Sequence, residues 1–72
     1  MEPPFKPTYI RAWRQERGMT MMELAETADI DQGHLSKLER GLLPYNQPNL
    51  ERIAIALRVP AAVLIERGPK KD

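Results

Sequence analysis

The residues best equipped for chemistry in this chain fall in one short run: Gln32, Gly33, His34, Ser36 and Lys37. Their types suit hydrogen bonding to base edges. A Gln32 amide can bind adenine at N6 and N7, and Lys37 can donate to guanine O6 or N7, or to a phosphate. Ser36 can bond either base type. His34 can donate to a base edge or a phosphate, more strongly when protonated. Gly33 would let the backbone approach a groove edge, at about 1 kcal/mol of helix propensity against Ala; simple tolerance near a helix end is its rival explanation. A second set suits phosphate. Thr20 and the amides that follow it form an anion site at a helix start, Tyr45, Asn46 and Gln47 offer a similar uncharged clamp further on, and Arg40 lies at the far end of the first run.

Each of these has a plainer reading. His34 can be a solvated helix residue, and Lys37 and Arg40 an ordinary charged face. One His and no Cys among 72 residues argue against a metal site. The sequence holds no plausible nucleophile–base pair and no phosphate-binding Gly loop, so catalysis is not expected. No cofactor or small-molecule ligand is implied.

The elements that must position these groups are short helices. Pro3, Pro4 and Pro7 forbid a helix in residues 1–7, and residues 1–8 read as an extended arm. Thr8 is the expected N-cap of a first helix over residues 9–17, with Ile10, Trp13, Arg14 and Arg17 on one face and Gly18 as the stop. Thr20 caps a second helix, with Glu23 as its capping-box partner. That helix has an apolar face of Met21, Leu24, Ala25 and Ala28. Asp29 occupies a turn where positive φ is expected, a conformation Asp tolerates better than most residues. Asp31 caps a third helix over residues 32–40, roughly 14 Å long, which buries Leu35 and Leu38 and ends at Gly41.

Residues 20–41 thus have the pattern of a helix-turn-helix, a unit that lays its second helix in the DNA major groove. After a loop at residues 42–45, Asn46 caps a fourth helix with Pro48 in its first turn and Leu50, Ile53, Ala54 and Leu57 inward. Pro60 opens a fifth helix through Glu66. Residues 68–72 read as a loose tail. The core is expected to hold Trp13, Met21, Leu24, Ile30, Leu35, Leu38, Leu50, Ile53 and Leu57. Arg14 and Glu39 lie beside their stripes and are expected to pair, with Arg17 as a second candidate for Glu39. Met22, Ile55 and Val63 fall off the stripes, and Ile55 with Val63 can form a dimer seam. Lys6, Arg11 and the Lys70-Lys71 tail are either solvated or near phosphates.

Composition sets bounds on this reading. Eleven Lys and Arg against ten Asp and Glu give a net charge of +1. That argues against high non-specific affinity for nucleic acid, though not against specific binding. No apolar run approaches the roughly 20 residues of a membrane span. The N-terminus lacks a secretion signal, and the absence of Cys fits a reducing cytoplasm.

The stretches IRAWRQERGMT, ELAETADI, HLSKLERG and IAIALRVPAAVLI closely resemble the phage-repressor and Cro-like (XRE) helix-turn-helix family, over about residues 10–65. The resemblance implies an all-α, compact five-helix, lambda-repressor-like DNA-binding domain over residues 9–67. It also implies operator binding and the Arg14–Glu39 pair. Four positions depart from the family pattern. Met21 stands where many members carry a Gln that contacts the DNA backbone. Asp29 replaces the usual turn Gly, residues 42–44 form an apolar loop where members are often basic, and Arg58 replaces a common Gly. The expected function is a cytoplasmic, sequence-specific transcriptional regulator of double-stranded DNA. A repressor is expected rather than an activator, binding a near-palindromic operator as a homodimer at least on DNA. The rival is a protein-interaction module of the same fold, such as an antitoxin or adaptor.

Overall fold

A computed structural model describes Pro4, Phe5 and residues 8–69, which form five helices and no strand. They are α1 (Ile10–Glu16), α2 (Met21–Ala28), α3 (Gln32–Glu39), α4 (Gln47–Leu57) and α5 (Val63–Glu66). Local chemistry sets most of their ends. Thr20 and Glu23 form a reciprocal capping box: the Thr20 hydroxyl accepts from the Glu23 N–H at 3.1 Å, and the Thr20 N–H donates to Glu23 Oε1 at 2.8 Å. Asp31 Oδ2 accepts from the His34 N–H, and Asn46 Oδ1 from the Asn49 N–H. Pro48 sits in the first turn of α4, where its missing N–H costs nothing. Gly18 and Gly41, both at positive φ, follow α1 and α3.

Two of these boundaries differ from the sequence-based expectation. The cap of α1 is Tyr9 rather than Thr8, although the Thr8 hydroxyl still accepts from the Ile10 N–H at 3.4 Å. α5 starts at Val63 rather than Pro60. The N–H groups of Val63, Leu64 and Ile65 bond carbonyls three residues back, so residues 60–62 are a tight turn leading into a single helical turn.

α2 is the hub of the packing, touching both α3 and α4, while α1 rests on α4 and α5. The buried core comprises Ile10, Leu24, Ala25, Ala28, Leu35, Leu38, Leu50, Ile53, Ala54, Leu57 and Leu64. Ile10 and Leu64 join it from the two ends of the domain, beyond the core expected from the helix stripes. Trp13, Met21 and Ile30 pack against this core without being enclosed. Trp13 stays at the rim because its indole N–H donates to the Arg67 carbonyl at 3.0 Å. Arg17 covers its ring, 5.3 Å from the centroid, and donates from Nε to the Leu57 carbonyl. Arg17 therefore does not compete for Glu39. The C-terminal strand of chain is also held down: the Tyr9 N–H donates to the Leu64 carbonyl at 2.7 Å, and a Cβ on Gly68 would meet Tyr9 Cδ1 at 3.4 Å. Gly68 and Pro69, at the start of the expected tail, are half-buried, while Lys70 and Lys71 lie outside the described residues, as does Lys6.

One ion pair ties the ends of this arrangement together. Arg14 Nε donates to Glu39 Oε2 at 2.8 Å and Nη2 to Oε1 at 3.2 Å, while Nη1 reaches the Met19 carbonyl at 3.0 Å. The fork joins α1, the α1–α2 loop and the last turn of α3. Glu39 is only 7% exposed, the one charged residue buried among the described residues. Its charge is tolerated because both oxygens have a cationic partner.

Two outcomes follow from this architecture. Glu39→Ala should destabilise the fold by about 3 kcal/mol, because it strands a partly enclosed guanidinium. Arg14→Met with Glu39→Leu should cost clearly less than the sum of the single changes in chemical denaturation, and additivity would refute the coupling. Arg58 is exposed and held at φ 61 after α4. A left-handed conformation costs a side chain about 1–2 kcal/mol, partly offset by about 0.4–1 kcal/mol of extra unfolded-state freedom for Gly. Arg58→Gly should therefore raise the thermal midpoint by about 2–8 °C. A lower midpoint would show that the backbone there carries no strain.

Candidate nucleic-acid interface

The geometry of α3 follows from which side its leucines take. Leu35 and Leu38 are 0% and 1% exposed. With that side locked, Gln32, Gly33, Lys37 and Arg40 are exposed and His34 and Ser36 are half-buried. At eight residues, α3 is about 12 Å long, a length that a major groove about 12 Å wide accepts end-on or obliquely. Arg40 is the residue just after the helix, and its own N–H bonds the Ser36 carbonyl. Among the described residues, Gln32, His34 and Lys37 make no side-chain hydrogen bond, so their donors and acceptors face a ligand unengaged by them.

Gly33 gains an explanation absent from the sequence. A Cβ there would lie 3.1 Å from Asp31 Oδ2, the same oxygen that accepts the His34 N–H. A side chain at position 33 would press on the cap that starts α3 and ask the Asp31 carboxylate to give by a few tenths of an ångström. Whether the backbone there also approaches DNA is a separate matter. Asp31 itself works as the N-cap, with its carboxylate engaged.

The groups suited to phosphate flank α3 at two helix starts. At α2, the capping box occupies the N–H groups of Thr20 and Glu23, leaving those of Met21 and Met22 without intrahelical partners. Thr20 keeps its hydroxyl proton as a donor. Met21 is half-buried against the core, so its part in any phosphate contact is limited to its backbone. At α4, Tyr45, Asn46 and Gln47 are all exposed. Asn46 has its amide oxygen engaged as the cap, which leaves its NH2 as donor. Gln47 Nε2 donates to Glu51 Oε2 at 3.0 Å and has one further hydrogen to offer.

The two residues expected as a seam, Ile55 and Val63, differ in exposure. Ile55 is 76% exposed. Val63 is half-buried and opens into a hollow it shares with Trp13, Val59, Pro60, Arg67 and Gly68. A residue not anticipated from sequence is Phe5. Its N–H donates to the Gly41 carbonyl at 3.1 Å, and it lines a hollow with Leu43, Pro44 and Tyr45. No periodic pattern surrounds Phe5, so nothing in the local sequence points to this contact.

Comparison with known proteins agrees with this geometry. The Helix-turn-helix family model matches residues 10–64. An uncharacterized HTH-type transcriptional regulator of Mycobacterium tuberculosis is 40% identical over 61 residues, covering 85% of this chain and 44% of that protein. The chain thus spans about half the length of the curated relatives it matches. Among solved structures, the clp gene regulator ClgR from C. glutamicum superposes with a TM-score of 0.74 at 34% identity, over 78% of this chain and 73% of that one. The N-terminal DNA binding domain of SinR from Bacillus subtilis gives 0.71 at 34%, over 76% and 81%. With a matched span that runs from the first core residue of α1 to the last of α5, the chain belongs to the XRE-type helix-turn-helix family.

Proposed function

We propose that this chain is a sequence-specific transcriptional regulator that binds duplex DNA with α3 in the major groove. The observation that carries the reading is the sidedness of α3: its leucines are enclosed while Gln32, Gly33 and Lys37 face solvent. The names of its relatives, transcriptional regulators in each case, support the same class. In this reading Gln32, Gly33, His34, Ser36 and Lys37 meet base edges. Thr20, the Met21 backbone, Arg40, Tyr45, Asn46 and Gln47 meet the DNA backbone. The polypeptide measures 30 × 29 × 20 Å. Two copies side by side suit half-sites one helical turn apart, about 34–36 Å, on a near-palindromic operator. Ile55 and Val63 form the seam between them. Occupancy of the operator would exclude polymerase, so the regulator acts as a repressor in the cytoplasm, without cofactor or small-molecule ligand.

A second reading, an adaptor or antitoxin of the same fold, draws on the near-neutral charge and on exposed Leu42 beside half-buried Leu43. Lys37→Glu separates the two. Loss of DNA binding by a folded protein supports the regulator, and an undisturbed partner complex supports the adaptor.

Selection of bound fragments from random duplex DNA at fixed salt tests the main reading, with enrichment of a two-fold motif as the expected result. Gln32→Ala should relax base preference at one position per half-site, by about 1–3 kcal/mol of discrimination; an unchanged motif would remove Gln32 from base reading. Lys37→Ala should weaken binding and, if the contact is to phosphate, lower the slope of log K against log salt by about one unit. An unchanged affinity would place Lys37 outside the interface.

A further inference from the structure

The N-terminal arm makes a contact that helix packing does not require. Phe5 lies 36 residues before Gly41 in sequence, yet its N–H donates to the Gly41 carbonyl at 3.1 Å. Gly41 is buried at φ 74 and ends α3. Its N–H is held by the Leu38 carbonyl, and the next N–H, of Leu42, by the Lys37 carbonyl. The arm is therefore tied to the point where α3 stops and the loop to α4 begins. The Phe5 ring, 40% exposed, shares a hollow with Leu43, Pro44 and Tyr45. Leu43 in turn rests on the core. A continuous path thus runs from the core through Leu43 to the arm, and the loop segment between Gly41 and Asn46 lies along it.

That segment is held at its start by the Leu42 N–H on the Lys37 carbonyl, by Leu43 on the core and at its end by the Asn46 cap. Between these points residues 42–46 contain no helix, and Pro44 lacks an N–H to donate. Its far end carries Tyr45, Asn46 and Gln47, the uncharged clamp assigned above to the DNA backbone. Contacts of this kind depend on placement, since a hydrogen bond weakens steeply with misalignment. We infer that Phe5 is a positioning residue: docked on Gly41, Leu43, Pro44 and Tyr45, it holds the loop after α3 so that the start of α4 meets the DNA backbone in register with α3. The inference rests on the DNA-binding reading and adds to it a part of the chain outside the helix-turn-helix. Phe5 acts here by bracing the protein, with no contact of its own to DNA needed.

The test uses the full chain and the duplex recovered by selection with the unmodified protein. Phe5→Ala should lower affinity by about tenfold, the equivalent of about 1.4 kcal/mol, while leaving the selected motif and the thermal midpoint unchanged. Phe5→Leu, which keeps a large apolar side chain on this wall of the hollow, should restore most of the affinity. Removing the clamp supplies the readout that a general structural role would not move. In a Gln47→Ala background, Phe5→Ala should cost less than it does alone, because part of what it places is gone. In the free protein, amide hydrogen exchange across residues 42–46 should quicken in Phe5→Ala, and exchange in α2 should not. Equal affinity of Phe5→Ala and the unmodified chain, or full additivity with Gln47→Ala, overturns the inference and leaves the DNA-binding reading standing. A chain that enriches no duplex overturns that reading, and the bracing role falls with it.

Discussion

The anchoring of α3 is the constraint on which the rest depends. A helix of eight residues does not hold its shape in water, because the first turn costs more order than so few hydrogen bonds return. α3 persists because Leu35 and Leu38 are sealed against the core and Glu39 is gripped by Arg14. The leucines fix the rotation of the helix about its axis, and the ion pair fixes its last turn relative to α1. Once both are set, the exposure of Gln32, Gly33 and Lys37 follows without further choice. A buried charge pair adds little net stability against an apolar substitute. Its value here is directional, since a bidentate fork accepts one relative orientation of α1 and α3.

The candidate interface is built from caps that have two duties. Thr20, Asp31 and Asn46 each close a helix start within the protein, and each lies beside groups suited to nucleic acid. Helix starts suit phosphate because their N–H groups point outward along the dipole. The same starts here also carry carboxylates: Glu23 in the capping box, Asp31 itself, and Glu51 one turn into α4 beside Gln47. Those negative charges oppose the polyanion. With a net charge of +1, the chain gains little from counterion release, so weak non-specific binding is the physical expectation. Whatever discrimination it achieves has to come from hydrogen bonds placed well, which makes the rigidity of the scaffold matter more than its charge.

Much of this was legible along the chain because it is local. The capping box at Thr20, the caps at Asp31 and Asn46, the stops at Gly18 and Gly41 and the positive φ of Asp29 involve partners within a few residues. Helical stripes then pointed to Leu24, Leu35, Leu38, Leu50, Ile53 and Leu57, since period 3.6 carries the buried side with it. Trp13, Met21 and Ile30, expected inside the core, pack against it half-buried, Trp13 with its indole N–H turned to the Arg67 carbonyl. Gly33 was open to two readings in sequence, and the cap carboxylate of Asp31 supplied a third.

What the sequence determined by itself, then, was the number of helices, the starts of α2, α3 and α4 with the glycine stops, and the side each of these helices turns inward. These are properties of nearest neighbours and periodicity. Only the tertiary structure decided that Arg17 turns to Trp13 and the Leu57 carbonyl while Arg14 takes Glu39, that the Arg67 carbonyl accepts from the indole N–H, and that Phe5 reaches Gly41. Apart from Arg17 on Trp13, four positions away, those contacts join residues 25 to 54 positions apart, and no local rule selects among the partners a long side chain can reach. That selection belongs to the packed core, which sets the distances between helices and so determines which donors find which acceptors.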